Sequence, residues 1–146
     1  MILDVNVLLY AIDSGSPQHN ACRSWLETAL NGSGRVGFPW PTMLGFLRIA
    51  THPRVMENPL TTGEAWAYLD DWLAAPVAWT PKPMTRHSDV LREMTVSQSL
   101  GGNLIPDAHL AALAQEHGVP LVSCDTDFAR FAGITWINPL SPLPAR

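Results

Sequence analysis

A chain of 146 residues with 47% hydrophobic and 15% charged residues is long enough to bury a core and too apolar to stay disordered, so a single domain over residues 1–146 is expected. Its formal net charge of −4 excludes a general attraction to nucleic acid or anionic membranes; a phosphate-bearing partner must be held by local cations or by a metal. Two cysteines, Cys22 and Cys124, exclude a disulfide framework, and their spacing excludes a zinc knot; both are expected to be buried free thiols.

No apolar run approaches the roughly 18 residues a membrane span needs. Met1-Ile2-Leu3-Asp4 lacks the basic start of a signal peptide, so a cytoplasmic protein is expected. Ile2 to Tyr10 reads as an almost continuous apolar strand of a parallel sheet, interrupted on one side by Asp4 and Asn6. Burying an unpaired carboxylate is costly, so Asp4 is the acid least easily explained by structure alone.

Asp13 to Pro17 predicts a turn and His19 to Leu30 an amphipathic helix, followed by a short strand at Val36-Gly37-Phe38. A helix after Pro39-Trp40-Pro41 carries Met43, Leu44, Phe46, Leu47, Ile49 and Ala50. Arg48, His52 and Arg54 gather at its end, where cations suit the helix dipole as well as a phosphate. Thr61-Thr62-Gly63-Glu64 has capping-box spacing and opens a helix with Trp66, Leu69, Trp72 and Leu73 toward the core.

Val77 to Thr80 reads as a short strand, and a helix from Thr85 or Arg86 runs to near Gly101. His87 lies on its apolar face, the position of a hydrogen-bonded histidine rather than a ligand. The next helix, from Asn103 to Gly118, has its signals in place: Pro106 in the first turn, Gly118 past the end, and Asp107 near the positive end of the dipole. A buried strand at Val119–Cys124 ends in Asp125-Thr126-Asp127-Phe128, where either acid could cap the turn Phe128–Phe131. Ile134 to Ile137 is the last strand, and the Pro-rich stretch from Asn138 to Arg146 does not extend it.

Strands alternating with helices predict an α/β domain with a mainly parallel sheet, whose ligands gather outside the carboxyl ends of the strands. Asp4, Asp107, Asp125 and Asp127 can converge there. Clustered carboxylates repel one another unless a cation offsets them, and hard ions such as Mg²⁺ or Mn²⁺ take oxygen ligands. Such an ion supports phosphodiester cleavage; the absence of a His/Cys ligand cluster argues against zinc.

Asp4-Val5-Asn6, the helix Pro106–Ala114 and Ser123-Cys124-Asp125-Thr126-Asp127-Phe128 together resemble a PIN-domain ribonuclease of the VapC toxin type. The similarity to its mycobacterial-type branch extends through Ala11-Ile12-Asp13, Pro17, His19, Trp25-Leu26, Phe46-Leu47-Arg48, Thr51-His52-Pro53 and Asn138-Pro139-Leu140. The resemblance implies a PIN-like α/β/α sandwich, an Mg²⁺- or Mn²⁺-dependent endoribonuclease, a homodimer and a cognate VapB-type antitoxin. It also implies that Asp4, Asp107 and Asp125 are metal ligands, that Asp127 completes the acidic cluster and that Asn6 orients Asp4. One departure stands out: the glutamate that many members carry on the second helix corresponds to Gly45, with Asp13 a possible substitute.

Two other readings remain open at this level. A catalytically silent RNA- or protein-binding PIN-like module follows if the missing glutamate disables the site. A haloacid-dehalogenase-like phosphohydrolase wants a second acid where Asn6 stands and a downstream lysine, and Lys82 is the chain's single lysine. Arg48, Arg54, Arg86 and Arg130 are the candidate RNA contacts.

Overall fold

The computed structural model describes residues 1–141; the end of the Pro-rich stretch, residues 142–146, lies outside them. Five strands form one sheet: β1 (Ile2–Leu3), β2 (Val36–Gly37), β3 (Ala78–Trp79), β4 (Leu121–Val122) and β5 (Trp136–Ile137). Their order is β3-β2-β1-β4-β5, and every pairing is parallel. Ile2 sits opposite both Gly37 and Leu121, so β1 is the central strand with neighbours from opposite ends of the chain.

The helices are α1 (Val5–Ile12), α2 (His19–Leu30), α3 (Trp40–Ala50), α4 (Thr62–Leu73), α5 (His87–Ser97) and α6 (Leu104–His117), with a 3₁₀ turn at Thr126–Arg130. They divide between the two faces of the sheet because strand side chains alternate. Leu3 and Val122 pack with Val7, Leu8, Cys22, Leu26, Met43, Phe46 and Leu69 from α1 to α4. Ile2 and Leu121 point the other way and pack with Met94, Ala108, Ala111, Leu113 and Phe128. The result is the three-layer α/β/α sandwich expected from the alternation of elements.

The strand expected from Ile2 to Tyr10 is wrong beyond Leu3. Asp4 adopts an extended backbone, φ −85° and ψ 154°, and its side chain accepts the Val5 N–H, so the chain turns into α1. A short apolar run does not separate a buried strand from a buried helix, and Val7, Leu8 and Ala11 satisfy the helical alternative by facing the core. Asp4 and Asn6 still share a side, but as a helix cap and a first-turn residue. Within the later helices, Leu44 and Trp66 are exposed, and Ala65 takes the core position on α4.

Other boundaries follow their local signals. Thr61 and Glu64 exchange both bonds of a capping box at the start of α4. Gly118 ends α6 with φ 61°, in the left-handed region. The chain then reverses into β4, so the start of α6 lies at the carboxyl edge of the sheet. Gly118→Ala is expected to lower stability by about 1–2 kcal/mol, because an alanine is strained in that conformation. Urea unfolding checks this, with Gly63→Ala, in open space at the start of α4, as a control that does not lower the midpoint.

Candidate active site

β1 pairs with β2 on one side and β4 on the other, so the strand order reverses at β1. In parallel sheets a crevice opens at such a point, outside the carboxyl ends of the strands. Asp4 follows β1 directly, and Ser123, Cys124 and Asp125 follow β4. Topology alone therefore brings the first acid beside the third.

Asp4 is 7% exposed, and each of its oxygens has defined partners. Oδ1 accepts the Val5 N–H at 2.7 Å. Oδ2 accepts from Asn6 Nδ2 at 2.8 Å and from the Ser123 hydroxyl at 2.7 Å. Asn6 Nδ2 also donates to Ser123 Oγ at 3.0 Å, and Asn6 Oδ1 accepts the Cys124 N–H at 3.1 Å. Ser123 Oγ in turn accepts the Asp125 N–H at 3.0 Å. This network ties the end of β1 to the end of β4 and fixes the orientation of one carboxylate.

Asp107 stands in the first turn of α6, half-buried. Burial and then the negative charges of Asp4, Asp125 and Asp127 push its pKa up to about 6, against the opposing pull of Arg130. Asp4 also titrates above the usual carboxylate range. Burial is the main cause and Asp125 adds to it, while the bonds from Ser123, Val5 and Asn6 act the other way. Asp107 thus lies within electrostatic reach of the other three acids, and Asp4 within reach of Asp125. Asp125 is exposed and caps the 3₁₀ turn, its Oδ1 accepting the Asp127 N–H at 2.8 Å. Asp127 pairs with Arg130 at 3.1 Å on the surface.

Among the described residues, no group of three or more Asp, Glu, His or Cys side chains stands ready to hold a metal ion. The arrangement is an open one, suited to an ion that keeps several waters and takes few carboxylates. Asp4 has a lone pair left on Oδ1, Asp125 has Oδ2 outside its cap, and no hydrogen bond reaches the Asp107 carboxylate among the described residues. An all-oxygen donor set in which the Asp4 and Asp107 carboxyls are raised by burial and by neighbouring acids fits a hard divalent cation.

Asp13 does not join this group. It caps the far end of α1, nine residues on from Asp4 and thus roughly 13 Å away by helix rise, with its side chain on the Gly15 N–H. Gly45 does lie near the site: a Cβ there would come 3.3 Å from Val5 Cγ2, next to Asp4. Of Arg48, Arg54, Arg86 and Arg130, Arg130 is the one whose charge reaches Asp107. His87 has the structural role expected of it, bonded to Glu116 at 2.6 Å and to His109 at 2.9 Å. Ser123 is the site residue that the sequence does not single out. Its signal is slight, a polar side chain closing an apolar strand two positions before an acid.

A family model described as the PIN domain matches residues 1–134. The chain belongs to the PIN-domain family. Within it the similar proteins are VapC ribonucleases. VapC37 of Mycobacterium tuberculosis (strain ATCC 25618 / H37Rv) is 46% identical over 138 residues, covering 94% of this chain and 96% of that one. VapC33 of the same strain is 40% identical over 140 residues, covering 96% and 98%. Among solved structures, VapBC2 from Rickettsia felis bound to a promoter DNA fragment superposes with a TM-score of 0.67 at 16% identity, over 94% of this chain and 96% of that chain. A VapBC structure from Salmonella typhimurium, also DNA-bound, gives 0.65 at 16% identity with the same coverage. At that identity the superpositions establish the shared fold.

The cost of burying Asp107 among other acids has a sign that stability measurements can read. An Asp titrates near 3.9 when unfolded and Asp107 at about 6 when folded, so between these values the folded chain binds more protons. Stability of the metal-free protein is therefore expected to fall as pH rises from about 4 through 6. Asp107→Asn removes the penalty: its melting temperature is expected to exceed that of the wild type at pH above 6, the gap narrowing toward pH 4. Thermal melts in chelator across this range check it.

Proposed function

We propose that this chain is a divalent-metal-dependent endoribonuclease and the toxin of a VapBC-type toxin–antitoxin pair, a single-domain protein working as a cytoplasmic homodimer. Membership of the PIN family and likeness to proteins named VapC ribonucleases support the activity. The single observation that carries the site is Asp107, whose carboxyl is raised to about 6 by burial and by the charges of Asp4, Asp125 and Asp127. Among the described residues no helix is long and apolar enough to cross a membrane. The neighbours solved as VapBC complexes support an antitoxin of VapB type as partner.

In this reading Asp4, Asp107 and Asp125 hold Mg²⁺ or Mn²⁺. PIN-domain VapC nucleases depend on divalent metals, and the ion's contribution when bound is to activate a water and offset charge on the phosphodiester. The chain's own residues do the positioning. Asn6 and Ser123 fix the tilt of Asp4 and oppose the upward pull of burial on its carboxyl, because each donates to Oδ2. Burial of Asp4 and partial burial of Asp107 keep bulk water from screening their charge. Arg130, held by Asp127, supplies positive charge beside the acids, where an RNA phosphate approaches.

A second reading, a catalytically silent PIN-like binding module, is favoured by Gly45, which leaves Val5 where a further acid would help. One experiment separates the two. The purified chain is expected to cleave total RNA with Mg²⁺ or Mn²⁺ and to stop in EDTA. Asn6→Ala is expected to lower the rate by about 10–100-fold, as outer groups around a metal do, and Asp4→Asn and Asp107→Asn by more. Cleavage that persists through both aspartate substitutions overturns the site. No cleavage by the metal-loaded wild type favours the silent module.

A further inference from the structure

We propose that Cys22 and Cys124 form an oxidation-sensitive dithiol, and that its closure to a disulfide switches off the acid site. The two residues are 102 positions apart, yet their sulfurs stand 3.4 Å from each other, closer than a casual packing contact. Both are free thiols. Cys22 comes from α2 and is fully buried, whereas Cys124 is partly exposed and follows β4. Cys124 is thus the more exposed member of the pair, and either sulfur has the other already in place to resolve it.

The chemistry balances with a peroxide as oxidant. Peroxide transfers one oxygen to a thiol, giving a sulfenic acid and a first water as the O–O bond breaks. The second thiol's sulfur then attacks the sulfenic sulfur, the S–O bond breaks and a second water leaves. Two thiols and one peroxide become one disulfide and two waters; the sulfurs lose two electrons and the peroxide gains them. A dithiol reductant reverses the step by exchange. In a reducing cytoplasm the pair stays open, so the device answers an oxidative episode.

Closure must act on the site because of what Cys124 is attached to. Its N–H bonds Asn6 Oδ1 at 3.1 Å, and Asn6 holds Asp4. Its chain neighbours are Ser123, which bonds Asp4, and Asp125 itself. Bringing the sulfurs from 3.4 Å to the roughly 2.0 Å of a disulfide draws Cys124 toward α2 and pulls on all four of these residues. A misplacement on the order of 1 Å costs about a hundredfold in rate where geometry is preorganised.

The effect on cleavage rests on the nuclease reading; formation of the bond does not. Wild-type protein treated with hydrogen peroxide is expected to lose two hydrogens by intact mass and both thiols by titration under denaturing conditions. Its RNA cleavage falls by about a hundredfold and returns with dithiothreitol. Its Mn²⁺ affinity, read by calorimetry, falls as well. Cys22→Ala and Cys22→Ser, treated alike, form no intramolecular bond and keep most of their cleavage and Mn²⁺ affinity. Retention of both thiols in oxidised wild type, a crosslinked chain that binds Mn²⁺ and cleaves RNA as before, or equal inactivation of the Cys22 variants overturns the proposal. If the reduced wild type cleaves no RNA, the nuclease reading fails, and thiol count with Mn²⁺ affinity still decides this one.

Discussion

The structure turns on one buried carboxylate. Asp4 sits between the central strand and the helix that follows it, 7% exposed, with its oxygens bonded to Val5, Asn6 and Ser123. The same side chain therefore does two things. It caps α1, which ends the strand after two residues, and it places a negative charge at the crevice where β1 and β4 separate. Lone buried carboxylates are expensive, and hydrogen bonding from three donors is what lets this one remain where it is.

The remaining acids are arranged around it at a further cost. Asp107 belongs to the first turn of a helix whose dipole favours a negative charge, yet its pKa is raised rather than lowered. Burial and the neighbouring acids outweigh the helix there. A protein built for stability alone would replace one of these residues with an amide. The arrangement makes sense where a cation joins the acids, since a divalent ion offsets the charge that burial and neighbouring acids disfavour. Arg130 moderates the field from the edge, and its tie to Asp127 leaves the other acids freer than Asp127 to act as ligands.

Much of this was legible in the sequence where a local signal had a single physical meaning. The capping box at Thr61 and Glu64, and the Pro106 and Gly118 limits of α6, formed as written because each satisfies backbone groups within a few residues. The run from Ile2 to Tyr10 had two meanings. Its apolar residues suit a two-sided buried strand or a buried helix, and the deciding bond, Asp4 to the Val5 N–H, is invisible in composition. Ser123 and the Cys22–Cys124 contact were hidden for another reason: they depend on β1, β4 and α2 meeting across a hundred residues, which only the parallel register brings about. Gly45 was found by resemblance, and the structure explains its tolerance through Val5, which fills the neighbouring space.

Asp4, Asp107 and Asp125 are proposed to share a divalent ion. A crystal grown with Mn²⁺ and measured at the manganese absorption edge tests it most directly, because the anomalous signal locates the metal without reference to activity. A peak is expected at the carboxyl ends of β1 and β4, within coordination distance of oxygens from at least two of these aspartates and completed by water. Manganese bound only elsewhere, or none at all at concentrations that support RNA cleavage, would contradict it.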